Sequence, residues 1–421
     1  MTSNANAGST SAPLSVDQAR QRILDGLQPA VGREQVAIRA ALGRVLARDV
    51  LAPFDVPAHD NSAMDGFAVR AADLAADGET VLDVVGTALA GSAFSGVVGV
   101  GQAVRIMTGA VIPRGADTVV VQEVAKAEGN RVRVPAGQRL GQNLRRAGED
   151  LAKGRAALAA GKRVGPAELG LLASLGFSEV SVYRRLRVAF FSTGDELASI
   201  GRPLAPGEIY DSNRYTLYGS LSQLGAELLD MGVIRDEPAA MEQAFREAAA
   251  QADVILTTGG VSVGDADYVK DIMNRLGSVD FWKINIKPGR PMAFGRIAAN
   301  GHQTWLFGLP GNPVAVMVNL HQIVLDALLK LMGVAPLPLR PLFQAISASS
   351  LRKLPGRSEY PRGILYEAGG TWKVRLAGSQ GSGVLRSMSE ANCYLVLPEA
   401  CTGVAEGEMV AVQPFSVFSG F

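Results

Sequence analysis

The chain has 421 residues, 48% hydrophobic and 19% charged, with 41 lysines and arginines against 40 acids and a formal charge of +1. That length exceeds one ordinary domain and the apolar content suffices for several cores, which excludes a disordered or fibrous protein. The near-neutral balance excludes a general nucleic-acid binder, and two cysteines, Cys393 and Cys401, exclude a disulfide framework or a four-cysteine zinc site. Reduced thiols point to the cytoplasm. His59, His302 and His321 stand far apart, so a bound metal is expected to take oxygen ligands, as Mg²⁺ does.

Residues 1–14 are small and polar, without the basic start and apolar middle of a signal peptide, and read as a disordered leader. Ser15 is a candidate N-cap for a mostly helical stretch that runs to Val50. From 51 to 153, short Val-rich runs alternate with Gly and Pro, the pattern of a β insertion. Helical character returns between Pro166 and Leu175, with Gly176 as the stop. Residues 15–50 and 154–183 are therefore expected to form one discontinuous helical linking domain.

From 184 to 335, strands and helices alternate at short spacing. Predicted strands cover Leu186–Phe191, Ala226–Val233, Val254–Thr257, Val279–Ile286 and Thr304–Phe307. Predicted helices cover Asn213–Leu224, Pro238–Gln251, Ala266–Leu276 and Pro313–Leu331. This order predicts a doubly wound α/β domain with ligand loops at the strand C-termini. The apolar run Val314–Val334 contains Asn319, His321, Asp326 and Lys330, so it reads as a packed helix and no membrane partner is expected. Beyond Pro336, short strands return as a small β domain, 336–421.

Several strand ends run into loops that could carry chemistry. The run Asp253–Tyr268 ends a strand in Gly259 and Gly260, which let a ligand approach the backbone, and a helix starts near Asp265 with free amides. An ordinary strand-to-helix turn with Asp265 as N-cap explains the same residues. Phe191-Ser-Thr-Gly-Asp-Glu-Leu puts Asp195 and Glu196 at the sheet rim, where a solvated acidic turn is the plain alternative. In Phe307–Val314, Pro310, Gly311 and Pro313 fix a turn before a long helix.

Strand alternation places Lys283, Asn285 and Lys287 on one face, followed by Arg290, which suits a phosphate or oxyanion. A lysine-guarded edge strand fits equally. The β insertion adds the dense run Asp60, Asn61, Ser62 and Asp65, then Arg105–Ala110 with Thr108, and Arg145–Asp150. Turn chemistry explains part of this, and His59 reads as a packing or turn residue, not a base.

Taken in order, these motifs resemble the molybdopterin molybdotransferase family, the group of MoeA and the gephyrin E domain. The matches are DNSAMDG at Asp60–Gly66, RIMTGA at Arg105–Ala110, RRAGED at Arg145–Asp150 and FSTGDEL at Phe191–Leu197. They continue through DSNR at Asp211–Arg214, TTGGVSVGDADY at Thr257–Tyr268, KPGRP at Lys287–Pro291 and GLPGNPV at Gly308–Val314.

The resemblance implies an elongated homodimer of four-domain protomers: the linking domain, the β insertion, an α/β domain similar to molybdopterin adenylyltransferase, and a C-terminal β-barrel domain. It implies transfer of molybdate to adenylylated molybdopterin, with Mg²⁺, releasing AMP and molybdenum cofactor. By the same resemblance Asp60, Thr108, Asp150, Glu196, Asp236 and Asp267 match functional positions, with Glu196 and Asp267 as metal ligands. Arg145, Lys283 and Lys287 match groups that grip phosphate or molybdate, and Arg362 and Ser382 match oxyanion-binding positions. Gly259, Gly260, Ser262, Gly264 and Pro310, Gly311, Asn312, Pro313 would contour the pocket.

The loop with Asp60 would reach the partner's α/β domain, making a composite site. A molybdopterin adenylyltransferase and molybdoenzyme-maturation proteins are the implied partners. Two positions depart from the family pattern: Ala315 stands where a serine is expected, and Asp265 replaces a glutamate. The rival readings are an adenylyltransferase and a cofactor-binding scaffold. The acids at Asp60, Glu196 and Asp267 weigh against a scaffold.

Overall fold

Ser15 caps its helix through a reciprocal pair. Its hydroxyl accepts the Gln18 N–H at 3.1 Å, and the Gln18 side chain accepts the Ser15 N–H at 2.9 Å. The helix Val16–Gly26 buries Val16, Ala19 and Ile23. The computed structural model describes residues 12–29, 32–260, 267–299 and 301–416. The chain divides into two compact units, one of Met1–Arg48, Ala160–Leu169 and Ser178–Phe421, the other of Asp49–Ala159 and Gly170–Phe177.

The stretch to Val50, expected to be mostly helical, departs from that after Gly26. Arg33–Ala37 is a strand antiparallel to Glu179–Tyr183, followed by the 3-10 turn Ile38–Ala41. Val180 and Val182 supply the β-branched, inward-facing residues of that pair. A partner almost 150 residues away thus overrides a locally helix-tolerant composition.

In the second unit, a six-stranded sheet runs in the order Thr118–Val121, Gly66–Val69, Gln102–Ile106, Glu79–Ala88, Arg131–Pro135, Lys126–Glu128. Its two faces bury separate apolar sets. Phe67, Leu82 and Val132 lie in one; Ala68, Val104 and Ile106 lie in the other. This is the expected β insertion.

The first unit holds the α/β sheet, in the order Glu227–Ile234, Arg187–Thr193, Val254–Thr258, His302–Leu309, Pro291–Ala299, Gly277–Lys283. The first four strands are parallel and the last two add antiparallel pairs. Adjacent residues alternate between the faces: Phe190, Leu256 and Phe307 pack on one, Phe191, Ile255 and Leu306 on the other. Helices Pro238–Gln251 and Asp267–Leu276 cover the second face. Val16–Gly26, Asn213–Leu224 and the long helix from Pro313 to Leu331 cover the first. Both faces are covered, which is the doubly wound arrangement.

The long helix is interrupted by a π turn at Leu320–Val324. By length and composition it could cross a membrane, but 83% of its apolar window is buried inside the protein. Its polar residues bond within the fold, although the Asn319 Oδ1 has no hydrogen-bond partner among the described residues. Asn319 donates to the carbonyls of Gly289 and Ala315, and His321 shares a hydrogen bond with the Tyr394 hydroxyl at 3.0 Å.

The C-terminal strands close into a barrel in the order Phe343–Ser347, Thr371–Leu376, Arg362–Ala368, Cys393–Leu395, Met409–Pro414. Val374, Leu395 and Val412 lie at its core. A short parallel pair, Ile286–Lys287 with Ser358–Glu359, ties the loop after the sheet to the segment entering the barrel.

Candidate functional site

A large cavity, about 1220 Å³, opens where the parallel strands end. Its walls come from Thr193, Gly194, Glu196 and Leu197, Thr258–Gly260 and Pro310–Pro313 of the sheet rim, the Lys287–Pro291 turn, and Arg357 and Glu359–Arg362 with Gln380–Gly383 beside the barrel. Ligands bind at this edge of open α/β sheets because loops and free amides converge there. Gly259 shows how tightly the rim is built. At φ +86° its backbone presses on Thr193, and an added Cβ would lie 2.5 Å from the Thr193 carbonyl oxygen.

Acids gather at one group of loops. Glu196 and Asp236 line the cavity, and the Asp236 N–H donates to Asp195 Oδ1 at 3.3 Å. The Asp236 carboxyl is pushed above the usual carboxylate range, first by partial desolvation, then by the charges of Asp195 and Glu196. Although Asp236 as a whole is exposed, its carboxyl is less hydrated than a free one. Among the described residues no three His, Cys, Asp or Glu converge to hold a metal ion.

Asp211, in the same wall, is committed to the fold. It is buried, accepts the Ser192 hydroxyl and the Arg214 N–H, and pairs with the Arg214 guanidinium at 3.3 Å. Two other buried atoms of wall residues, Thr193 Oγ1 and Asn213 Oδ1, have no hydrogen-bond partner among the described residues, although Asn213 Nδ2 donates to the Gly311 carbonyl at 2.6 Å. Buried polar atoms left unpaired in a cavity wall are what a polar ligand would satisfy.

Bases gather at the other group. Lys287 Nζ contacts both carboxylate oxygens of Glu359, at 3.2 and 3.1 Å. Arg362 is only 1% exposed. It donates through Nε to Ser387 Oγ at 3.0 Å and through Nη2 to the Ser379 and Gly381 carbonyls at 3.1 and 3.0 Å. Among the described residues no carboxylate pairs with it, and burial lowers its affinity for its proton. The same bonds fix the loop that carries Ser382, whose carbonyl caps the long helix at the Val314 N–H, 3.1 Å away.

Most of the sequence-derived candidates of this unit meet here: Glu196, Asp236, Gly259, Gly260, Lys287, Pro310, Gly311, Asn312, Pro313, Arg362 and Ser382 all line the cavity. Lys283, at the end of the edge strand Gly277–Lys283, is exposed and lies outside the lining. Ser262, Gly264 and Asp265 lie outside the described residues, as does the side chain of Asp267, whose backbone opens the helix Asp267–Leu276. Ala315 does line the cavity, with its methyl turned toward the Lys287–Pro291 turn: a Cβ on Gly289 would lie 2.9 Å from it.

The remaining candidates belong to the second unit. Asp60 accepts Arg146 Nη1 at 2.7 Å and the Ala147 N–H at 2.8 Å, and these bonds, the amide first, hold its carboxyl below the usual range. Thr108 donates both its N–H and its hydroxyl to Asp65 Oδ1, at 2.7 Å each. That amide and hydroxyl lower Asp65 in the same way. Arg145 pairs in register with Asn61, and Asp150 is exposed at the end of the same loop, its N–H on the Val56 carbonyl. The three polar motifs of the insertion are therefore laced into one cluster.

Sequence reasoning missed Glu359, Arg357 and Thr193 as cavity groups. Glu359 lies 72 positions from the lysine it holds, and the only available signal was an acid flanked by Arg357 and Arg362.

Three family models match the chain in order: MoeA N-terminal region (domain I and II) over residues 14–176, "Probable molybdopterin binding domain" over 189–330, and MoeA C-terminal region (domain IV) over 344–415. A protein of Haemophilus influenzae named molybdopterin molybdenumtransferase is 42% identical over 409 residues, covering 97% of this chain and all of that one. A Bacillus subtilis protein of the same name is 35% identical over 411 residues, 95% of this chain and 94% of its own. The crystal structure of the molybdopterin biosynthesis moeA protein from Pyrococcus horikoshii OT3 superposes with a TM-score of 0.82 at 30% identity, over 96% of this chain and all of that one.

A β insertion, a covered α/β sheet with a polar rim cavity and a closed C-terminal barrel, matched in this order, define the class as proteins of molybdenum-cofactor biosynthesis. The chain belongs to the MoeA family.

Proposed function

We propose that the protein inserts molybdate into adenylylated molybdopterin with Mg²⁺-dependent release of AMP, giving molybdenum cofactor. The chain is a transferase, as its full-length relatives are named. The observation that carries the finer reading is the composition of one cavity: Glu196 and Asp236 at one set of loops, Lys287 and a buried Arg362, with no carboxylate partner among the described residues, at another. A substrate joining phosphate groups to a pterin and accepting an oxyanion needs both charges in a single pocket.

The donor set suits Mg²⁺ in kind. It offers only hard oxygens, and the repulsion by Asp195 and Glu196 that adds to desolvation in raising Asp236 is what a divalent cation relieves. Mg²⁺ usually keeps several waters and takes one or two carboxylates plus substrate phosphates, so a converged trio of acids is not required. Glu196 and Asp236 would hold it, with Asp267 the further ligand that the family resemblance implies. When bound, the ion offsets charge on the phosphoryl oxygens.

The chain's own groups do the rest. The Gly259–Gly260 and Pro310–Pro313 turns bring backbone close to the ligand. Lys287 and Arg362 attract the tetrahedral oxyanion, and the Thr193 hydroxyl and Asn213 carbonyl offer unpaired polar atoms to the bound molecule. The active form in this reading is a cytoplasmic homodimer of four-domain protomers, with Asp60, Thr108, Arg145 and Asp150 contributed across copies. Its partners are an adenylyltransferase upstream and molybdoenzyme-maturation proteins downstream.

The test supplies purified protein with adenylylated molybdopterin, Mg²⁺ and molybdate. AMP should appear together with loss of the adenylylated substrate, and only with molybdate present. Net synthesis of adenylylated molybdopterin from ATP and molybdopterin would replace this reading by an adenylyltransferase. Tight binding with no turnover in either direction would leave a scaffold.

A further inference from the structure

We propose that Glu359 is the internal counter-ion of the cavity's anion subsite: it holds the Lys287 ammonium, and an incoming oxyanion has to take that ammonium from it. This deepens the functional reading above and rests on it for the identity of the anion.

The geometry separates a fixed acid from a movable base. The Glu359 side chain is 11% exposed and that of Lys287 is 52% exposed. Glu359 exchanges both backbone hydrogen bonds with Leu397, at 2.9 and 3.0 Å, so its Cα is anchored. Its strand also runs in register with Ile286–Lys287, and the Tyr360 N–H donates to the Lys287 carbonyl at 3.1 Å. The carboxylate therefore has little freedom, while the ammonium sits on a flexible four-carbon stem.

A buried carboxylate is costly unless paired, and among the described residues Lys287 is the ion-pair partner Glu359 has. Arg357 and Arg362 line the same cavity without pairing to it. An oxyanion that binds Lys287 both breaks this pair and brings its own charge close to Glu359. Bare oxyanions are therefore held more weakly than the basic groups alone would allow. The site reserves firm binding for an anion that the rest of the substrate helps to fix.

A structural role for Glu359 would not distinguish anions by charge, whereas a counter-ion must. Molybdate and perrhenate are both tetrahedral, with charges of two and one. In the full-length protein, calorimetric titration with each anion should show Glu359→Gln binding molybdate about ten-fold more tightly than wild type, and perrhenate by a clearly smaller factor, since the cost of freeing Lys287 is common to both anions while repulsion by Glu359 scales with the anion's charge.

Glu359→Asp keeps the charge and should stay on the wild-type side of this gain. Glu359→Met, apolar and of similar length, should reproduce the ordering if the amide variant does not fold. Unchanged or weaker molybdate binding in the neutral variants, or an equal gain for both anions, would overturn the proposal. A charge-scaled gain without molybdate-dependent AMP release would sink the function and leave the counter-ion standing. AMP release without the gain would do the reverse.

Discussion

Asp236 shows how a single residue can trade stability for chemistry. Its carboxyl is raised above its ordinary value of 3.8 by desolvation and by Asp195 and Glu196. The folded chain therefore binds that proton more tightly than the unfolded chain does. Below the unfolded value both states are protonated and no penalty exists. As pH rises through the folded value, the folded state loses stability, and the loss is complete above it. Asp236→Asn should accordingly melt higher than wild type at pH 7 in the presence of a chelator, with the advantage fading as pH falls through the acid range. Added Mg²⁺ should stabilise wild type more than the variant, because only wild type has the repulsion to relieve. An advantage that grows toward acid would contradict the assignment. Glu196→Gln tests the same corner from the chemical side. It should leave folding intact and slow AMP release by about 10²-fold, the usual scale for removing one group that stabilises developing charge.

At the scale of elements, the strand Pro291–Ala299 shows where pattern reading stops. Its interior Gly295 interrupts the apolar run that would have marked it, because a Cβ there would lie 2.1 Å from the Ser278 carbonyl of the paired edge strand. Gly295→Ala should cost ~1–3 kcal/mol in urea unfolding, the range for forcing extra volume into a packed region, and free tolerance of that change would refute the close approach. The three inner parallel strands were readable because both of their faces are covered, so each is a nearly unbroken apolar run between turn residues. Helices Asn213–Leu224 and Pro238–Gln251 were equally plain, the second opened by its proline. Arg33–Ala37 was not, since only pairing with Glu179–Tyr183 makes it a strand. The site divides along the same line. Glycine turns and the acids that follow strands announce themselves locally, and Glu196, Gly259 and Pro310 were found that way. Glu359 and Thr193 act through partners far away in the chain, and no local spacing encodes such a contact.

For the whole molecule, the arrangement of candidates poses a question that neither unit answers alone. Glu196 and Asp236 belong to the unit with the cavity, and Asp60, Thr108, Arg145 and Asp150 to the other. If the proposed homodimer builds each site from two copies, Asp60→Asn and Glu196→Gln damage complementary halves of one site. Each variant alone should then be slowed by about 10²-fold, while subunit exchange between them creates mixed dimers in which one site carries both lesions and the other carries neither. At equal mixing, half of the dimers are mixed and one of their two sites is intact, so activity should recover to about a quarter of wild type. Should each site instead be built within one copy, every site in a mixed dimer keeps one lesion and no activity returns. AMP release measured before and after exchange, with sedimentation to verify that dimers form, separates these outcomes without any assumption about the order of bond breaking.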